Sequence, residues 1–188
     1  MASSVRRLAL CAAAASLTAS AALPHGLADV LENALTPEII TLTDPEVVAL
    51  ALRTDGYRAK VVEGDSGPII ESAAFGIDFS IVFYGCEGRA KFCTGMLFLS
   101  GFDLEFGAAP DLMEEWNVER LVGRAFLDKT CDPFIDFYVV ADPAMSLDGW
   151  GRVMSDWLLA LNDFSEWVDP DNWGEVRRVN TCKGDQTL

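Results

Sequence analysis

Residues 75–102 read FGIDFSIVFYGCEGRAKFCTGMLFLSGF. Phe75, Ile77, Phe79, Ile81 and Phe83 occupy every second position, and Gly76, Asp78, Ser80, Val82 and Tyr84 fill the gaps. A period of two marks a strand with one buried face. Phe92–Phe102 repeats the alternation, so the two runs predict an antiparallel hairpin, with Cys86 and Cys93 flanking its turn. If the cysteines stand opposite each other, paired residue numbers sum to 179. Phe83 then faces Met96, Ile81 faces Phe98 and Ile77 faces Phe102 on one side. Tyr84–Gly95, Val82–Leu97 and Ser80–Leu99 share the other. A one-residue slip would scramble both sets, so the cysteine pair and the apolar pattern independently ask for one register. The second face is too apolar to stand in water alone. Cover by a helix of the same chain is the first expectation, with a dimer partner or a ligand as alternatives.

Working outward, Asp44-Pro45-Glu46 is a helix start, with Asp44 as N-cap and Pro45 in the first turn. Val47, Val48, Leu50, Ala51 and Leu52 follow, and Gly56 ends the run; Asp29–Leu35 predicts a short helical turn before it. Tyr57–Val62 and Pro68–Ser72 read as strands around Glu63–Gly67. Pro110 opens a second helix carrying Leu112, Met113, Trp116 and Arg120, with Gly123 at its end. Arg124–Lys129 and Phe134–Val140 predict a second hairpin, turning at Cys131-Asp132-Pro133. Ser146 caps a long helix on which Leu147, Trp150, Met154, Trp157, Leu158, Leu161 and Phe164 recur at steps of three and four. The order is α-β-β-β-β-α-β-β-α, an α+β fold with helices packed on one antiparallel sheet.

The first 28 residues predict a secretory signal peptide. Arg6 and Arg7 provide the charged start, Leu8–Leu23 carries no charge, and cleavage sites follow Ala21 and Ala28. The apolar run is shorter than the ~20 residues that span a bilayer, so stable membrane insertion is not expected. Residues 29–168 then form a single domain and residues 169–188 a polar tail. Export places the protein in the periplasm or outside the cell. Of the five cysteines, Cys11 leaves with the leader. The even number that remains suggests two disulfides, Cys86–Cys93 and, by exclusion, Cys131–Cys182.

Composition excludes much chemistry. The 188-residue chain carries a formal charge of −15, and removing Arg6 and Arg7 takes it to −17. Such a charge opposes binding to nucleic acid and to anionic lipid. The only histidine is His25, so the domain beyond the leader lacks the imidazole that Ser-His-Asp and Cys-His catalysis need. Asp169–Glu175 touches the pattern of a calcium loop, but Trp173 occupies its fifth position and Asn180 its twelfth. No catalytic residue, cofactor or metal site is expected.

Gly67-Pro68-Ile69-Ile70, Phe83-Tyr84-Gly85-Cys86 with Cys93, Trp116-Asn117 with Arg120, Arg124-Ala125 and the last tryptophan-bearing helix resemble the bacterial YbjN-domain family. Members of that family are labelled sensory transduction regulators. The resemblance covers Asp44 to Val168. It implies a fold similar to class I type III secretion chaperones, which bind partner polypeptides and catalyse nothing. The expected function is therefore that of an exported, non-catalytic module binding a protein or peptide, with homodimerisation open to it. A periplasmic small-ligand sensor or carrier is the alternative, its pocket formed by the aromatic helix and Arg120. The candidate binding residues are Trp116, Asn117, Arg120, Arg124, Tyr84 and Leu97. Each has a structural reading beside it: the tryptophans as helix-on-sheet core, Asn117 satisfying backbone groups, and an arginine paired with Glu115 or Asp128.

Overall fold

The structure, a computed structural model, describes residues 38–88 and 91–174. Asp44 caps the first helix, α1 (Pro45–Thr54), by accepting a 3.1 Å hydrogen bond from the Glu46 amide. Pro45 fits the first turn, where its missing N–H is not needed. Four strands follow: β2 (Ala59–Gly64), β3 (Gly67–Ala74), β4 (Ile77–Tyr84) and β5 (Gly95–Gly101), the short β1 (Ile39–Ile40) having preceded α1. Then come α2 (Pro110–Glu119), β6 (Arg124–Leu127), β7 (Pro133–Val140), β8 (Met145–Ser146) and α3 (Leu147–Trp167). The order matches the expected one, with the β1–β8 pair as an addition too short to show a period in sequence.

The main sheet has six strands in the order β2-β3-β4-β5-β7-β6, all neighbours antiparallel. Its central hairpin adopts the expected register: Ile81 opposes Phe98, Val82 opposes Leu97, Phe83 opposes Met96 and Tyr84 opposes Gly95. The Cys86–Cys93 disulfide is formed just beyond this ladder. Outside it Glu87 bridges Lys91, one step out of the register below. The slip is confined to the hairpin tip, where Gly85, Gly88 and Phe92 take positive φ. The tip is fastened to the helix layer by the Cys93 amide, which donates to the Thr43 carbonyl at 3.0 Å, and by a 3.2 Å ion pair between Lys91 and Asp44.

Two phenylalanines depart from the expected alternation. Phe75 sits with Gly76 in the β3–β4 turn at a φ of 55° and is exposed; Phe92 has a φ of 54° and is also exposed. Both are spaced like strand residues, but the connection needs left-handed backbone there and removes them from the sheet.

The three helices bury one face of the sheet. Ile70, Ile81, Phe83, Met96, Phe98 and Ile135 point into this layer, and Val48, Leu52, Leu112, Trp116, Trp157, Leu161 and Phe164 meet them. The Trp157 ring lies 5.4 Å from that of Phe98 and 5.6 Å from that of Phe79. Each such side chain removed from water contributes about 2–3 kcal/mol before entropy is counted. The segment read as a polar tail begins with a 3-10 turn, Pro170–Asn172, and Trp173 folds back to donate to the Trp167 carbonyl at 3.1 Å. The expected helical turn at 29–35, the leader and Cys182 lie outside the described residues. Cys131 is itself in a disulfide.

Candidate binding face

Strand alternation puts a second set of side chains on the side away from the helices. Val62, Ile69, Val82, Leu97 and Leu99 form its middle, with Tyr84, Tyr138, Val140 and Phe134 continuing it toward β7. Tyr138 is 56% exposed and Val140 65%, and Tyr84 is exposed as well. Among the described residues no helix covers this face. The expectation of cover by the chain itself is therefore corrected: α1, α2 and α3 all pack on the other side. Two hairpins and a β5–β7 pairing make the sheet wide, and the helices suffice for one face only.

Two glycines shape the relief of the open face. Gly95 and Gly101 lie on β5, and a Cβ at either would run into the ring of Tyr138 or of Phe134. The aromatic rings of β7 thus lie down over glycine backbone instead of standing away from the sheet.

Three acids project from the strands on this side, and each meets a base. Lys60 lies 4.0 Å from Glu71, Arg58 pairs with Asp78, and Arg124 pairs with Asp136. The last pair follows from register, since β6 sets Arg124 directly opposite Asp136. Asp136 is buried, so its carboxylate depends on Arg124, whose Nε donates to it at 3.2 Å. The side-chain hydrogen bond to Asp136, reinforced by its charge, raises the Arg124 pKa. Tyr84, Leu97, Gly123, Arg124, Asp136 and Tyr138 line a shallow concavity of about 580 Å³ here. A larger one, about 750 Å³, lies at the other end of the face near Arg58, Lys60, Leu99 and Phe134, with Asp103, Asp128 and Asp132 at its rim.

The candidate residues divide into two groups. Tyr84, Leu97 and Arg124 come together on the open face. Trp116, Asn117 and Arg120 gather on the helix side, at the end of α2. Trp116 is fully buried and donates from Nε1 to the Gly123 carbonyl at 2.8 Å. Asn117 donates to the Ala125 carbonyl at 3.0 Å and accepts from the Ala125 amide at 2.8 Å. The Arg120 guanidinium lies over two indoles, 5.4 Å from the ring centre of Trp116 and 5.8 Å from that of Trp167. Of the two candidate arginines, Arg124 is the one in an ion pair among the described residues, with Asp136 in place of the expected Glu115 or Asp128. Trp150 and Trp157 are buried in the core.

Tyr138, Val140 and Asp136 were not singled out from sequence. Their signal was the alternation Phe134, Asp136, Tyr138, Val140, which a charged residue interrupts. Among the described residues no cluster of three or more His, Cys, Asp or Glu is placed to hold a metal ion. No helix among them is long and apolar enough to cross a membrane.

A family model matches residues 44–170, which takes in the whole six-stranded sheet and all three helices. Its description reads YbjN, "Putative bacterial sensory transduction regulator". The chain belongs to the YbjN family. The resemblance carried by Phe83–Cys86, Trp116-Asn117 and Arg124-Ala125 agrees with that match. Neither the curated proteins nor the solved structures contain a match to the chain. The YbjN description is that of a regulator and not of an enzyme.

Proposed function

We propose that this YbjN protein is an exported, non-catalytic module that binds another polypeptide on the open face of its sheet. The observation that carries the reading is the exposed apolar surface around Tyr84, Leu97 and Tyr138. Contiguous exposed apolar area on a soluble protein marks an interaction site. A low-relief face suits an extended chain or another sheet, whereas a small ligand is normally enclosed on most sides. The tryptophans that would have lined an enclosed pocket, Trp116, Trp150 and Trp157, are instead packed in the core. Export is supported by the charged start and apolar run of residues 6–23 and by the disulfide.

The test is site-specific photocrosslinking in the producing cell. A photoreactive residue at position 140, on the open face, is expected to capture a polypeptide. The same residue at position 159, exposed on α3, is expected to capture none. Equal capture at the two positions, or loss of neither on Leu97→Asp, would overturn the reading. Cell fractionation checks the location: the mature protein belongs in the periplasmic or extracellular fraction, and a cytoplasmic product with its leader intact would refute export.

A further inference from the structure

We infer that the β2 edge of the sheet is a second docking surface, separate from the open face. Its occupant is a second copy of this chain, paired β2 to β2 antiparallel about a two-fold axis through Val61, so that the two sheets run on as one. The inference does not depend on what the open face binds.

Backbone geometry supplies the edge. The Ala59 carbonyl accepts from the Arg53 guanidinium on α1 at 2.9 Å, so it points away from β3; the Arg58 carbonyl accepts from the Ser72 hydroxyl on β3 at 2.8 Å. Successive residues of a strand direct their N–H and C=O groups to opposite sides. Val61 and Glu63 therefore share the outward direction of Ala59, and nothing among the described residues bonds to their outward backbone groups. The opposite edge, β6, is closed at Ala125 by the Asn117 amide. Beyond Ala59, β2 has no such cover among the described residues, and a bare edge is a template for another strand.

Backbone groups would accept any extended chain; the side chains select this one. β2 starts beside Arg58 and Lys60 and ends at Glu63 and Asp65. In an antiparallel pair centred on Val61, the basic start of each strand meets the acidic end of the other. Glu63 of one copy then stands opposite Ala59 of its partner, where the partner's Arg53 guanidinium already lies. The helix repeats the arrangement. Glu46, Leu50 and Arg53 share one side of α1 at steps of four and three, and Leu50 is 58% exposed. Across the same axis Leu50 meets the partner's Leu50, and Glu46 meets the partner's Arg53. Among the described residues Glu46, Arg53 and Glu63 enter no ion pair. The two centres are level. α1 runs away from the hairpin tip, where Asp44 pairs with Lys91, and β2 runs back toward it. Leu50 lies about 4.5 Å from Arg53 along the helix, and Val61 lies ~6.6 Å from Ala59 along the strand in the same direction. One axis therefore serves both. A chain of charge −15 that meets itself needs matched charges at the contact, because like charges brought together repel.

Sedimentation equilibrium on the exported, processed protein tests this. It is run up to about 500 µM, because one strand and one helix flank make an interface at the small end of specific association. A dimer is expected. Val61→Pro removes a central backbone donor and should weaken association at least about 30-fold. Its fold should survive by circular dichroism, since proline is tolerated where the N–H of an edge strand faces solvent. Glu63→Arg alone and Arg53→Glu alone should each weaken association about 10-fold. The two together should restore it, a recovery that loss of a merely structural contact would not show. Val61→Cys should join two copies through a disulfide, since Cα atoms in such a pair lie about 5.5 Å apart. Leu159→Cys, exposed on α3, should not. A monomer at about 500 µM overturns the second copy, that concentration lying well above a micromolar dissociation constant. So does a dimer that keeps its strength in Val61→Pro, or one that the double charge exchange fails to restore. Capture of a different polypeptide by a photoreactive residue at position 63, without self-association, overturns it in favour of a foreign strand.

Discussion

The side-chain amide of Asn117 makes both of the hydrogen bonds that a neighbouring strand would make to Ala125. It donates to the carbonyl at 3.0 Å and accepts from the amide at 2.8 Å. Ala125 lies on β6, the edge of the sheet, and an unpaired edge is a template for unwanted pairing. One side chain from α2 closes it at this residue. Asn117→Ala leaves both groups of buried Ala125 without that partner and should cost about 2–3 kcal/mol in urea unfolding. Val118→Ala, next to it and 86% exposed, should change stability by less than about 0.5 kcal/mol.

Trp157 offers a contrast with Trp116. Both are fully buried, but Trp157 Nε1 has no hydrogen-bond partner among the described residues, while Trp116 Nε1 donates to the Gly123 carbonyl. Replacement by phenylalanine removes an N–H and leaves a cavity in each case. Trp116→Phe also orphans a carbonyl, so it should destabilise by about 1 kcal/mol more than Trp157→Phe. Equal losses on thermal unfolding would show that the Gly123 bond contributes nothing.

Arg124 and Asp136 form a pair of unequal exposure: the guanidinium is largely solvated, the carboxylate almost entirely buried. Removing the exposed partner strands the buried one. Arg124→Met should therefore cost about 1–3 kcal/mol, less than for a fully buried pair because solvent already screens the arginine. Adding Asp136→Asn should restore more than half of the loss, as a double-mutant cycle would show.

Asp128 organises the β6–β7 turn. Its carboxylate accepts from the amides of Thr130 at 2.8 Å and Asp132 at 2.9 Å. These bonds, that from the Asp132 backbone first, hold its pKa below the usual carboxylate value. A depressed folded-state pKa stabilises the protein above the unfolded pKa of about 3.9, and that contribution fades as pH falls through the lower folded value. Asp128→Asn should thus show a stability deficit at neutral pH that shrinks below about pH 4. A deficit constant with pH would refute the linkage.

Reduction of Cys86–Cys93 should cost about 2.5 kcal/mol, the loop-closure entropy of about eight residues. The β4–β5 register should survive, because Ile81–Phe98 and Phe83–Met96 specify it without the bond. Hydrogen exchange at Ile81 and Phe98 would reveal any slip.

Legibility in the sequence followed the length of the periodic signal. Ile77–Tyr84 and Gly95–Gly101 alternate strictly, so their register could be read, and the α3 stripe from Trp150 to Phe164 was as plain. The family could be read from short local motifs. What covers the second face could not. That depends on which strands β7 joins, and pairing β7 with β5 is a long-range choice that no local period encodes. Phe75 and Phe92 misled for a related reason: spacing alone does not register a left-handed φ. The pairing of Arg124 was missed because it is set by the β6–β7 register, while the expected partners Glu115 and Asp128 were judged by nearness in the chain.

Gly95 and Gly101 bear on how variation at this surface should be read. A change of glycine to alanine at either position is small by any measure of size or hydropathy, and it touches nothing in the core. Yet the added methyl would lift the ring of Tyr138 or Phe134 off the strand and turn a smooth wall into a ridged one. The folded protein would keep its stability, within what one displaced ring costs, and lose its fit. Variants that look conservative in sequence and normal in a melting curve can therefore be the ones most deficient in association.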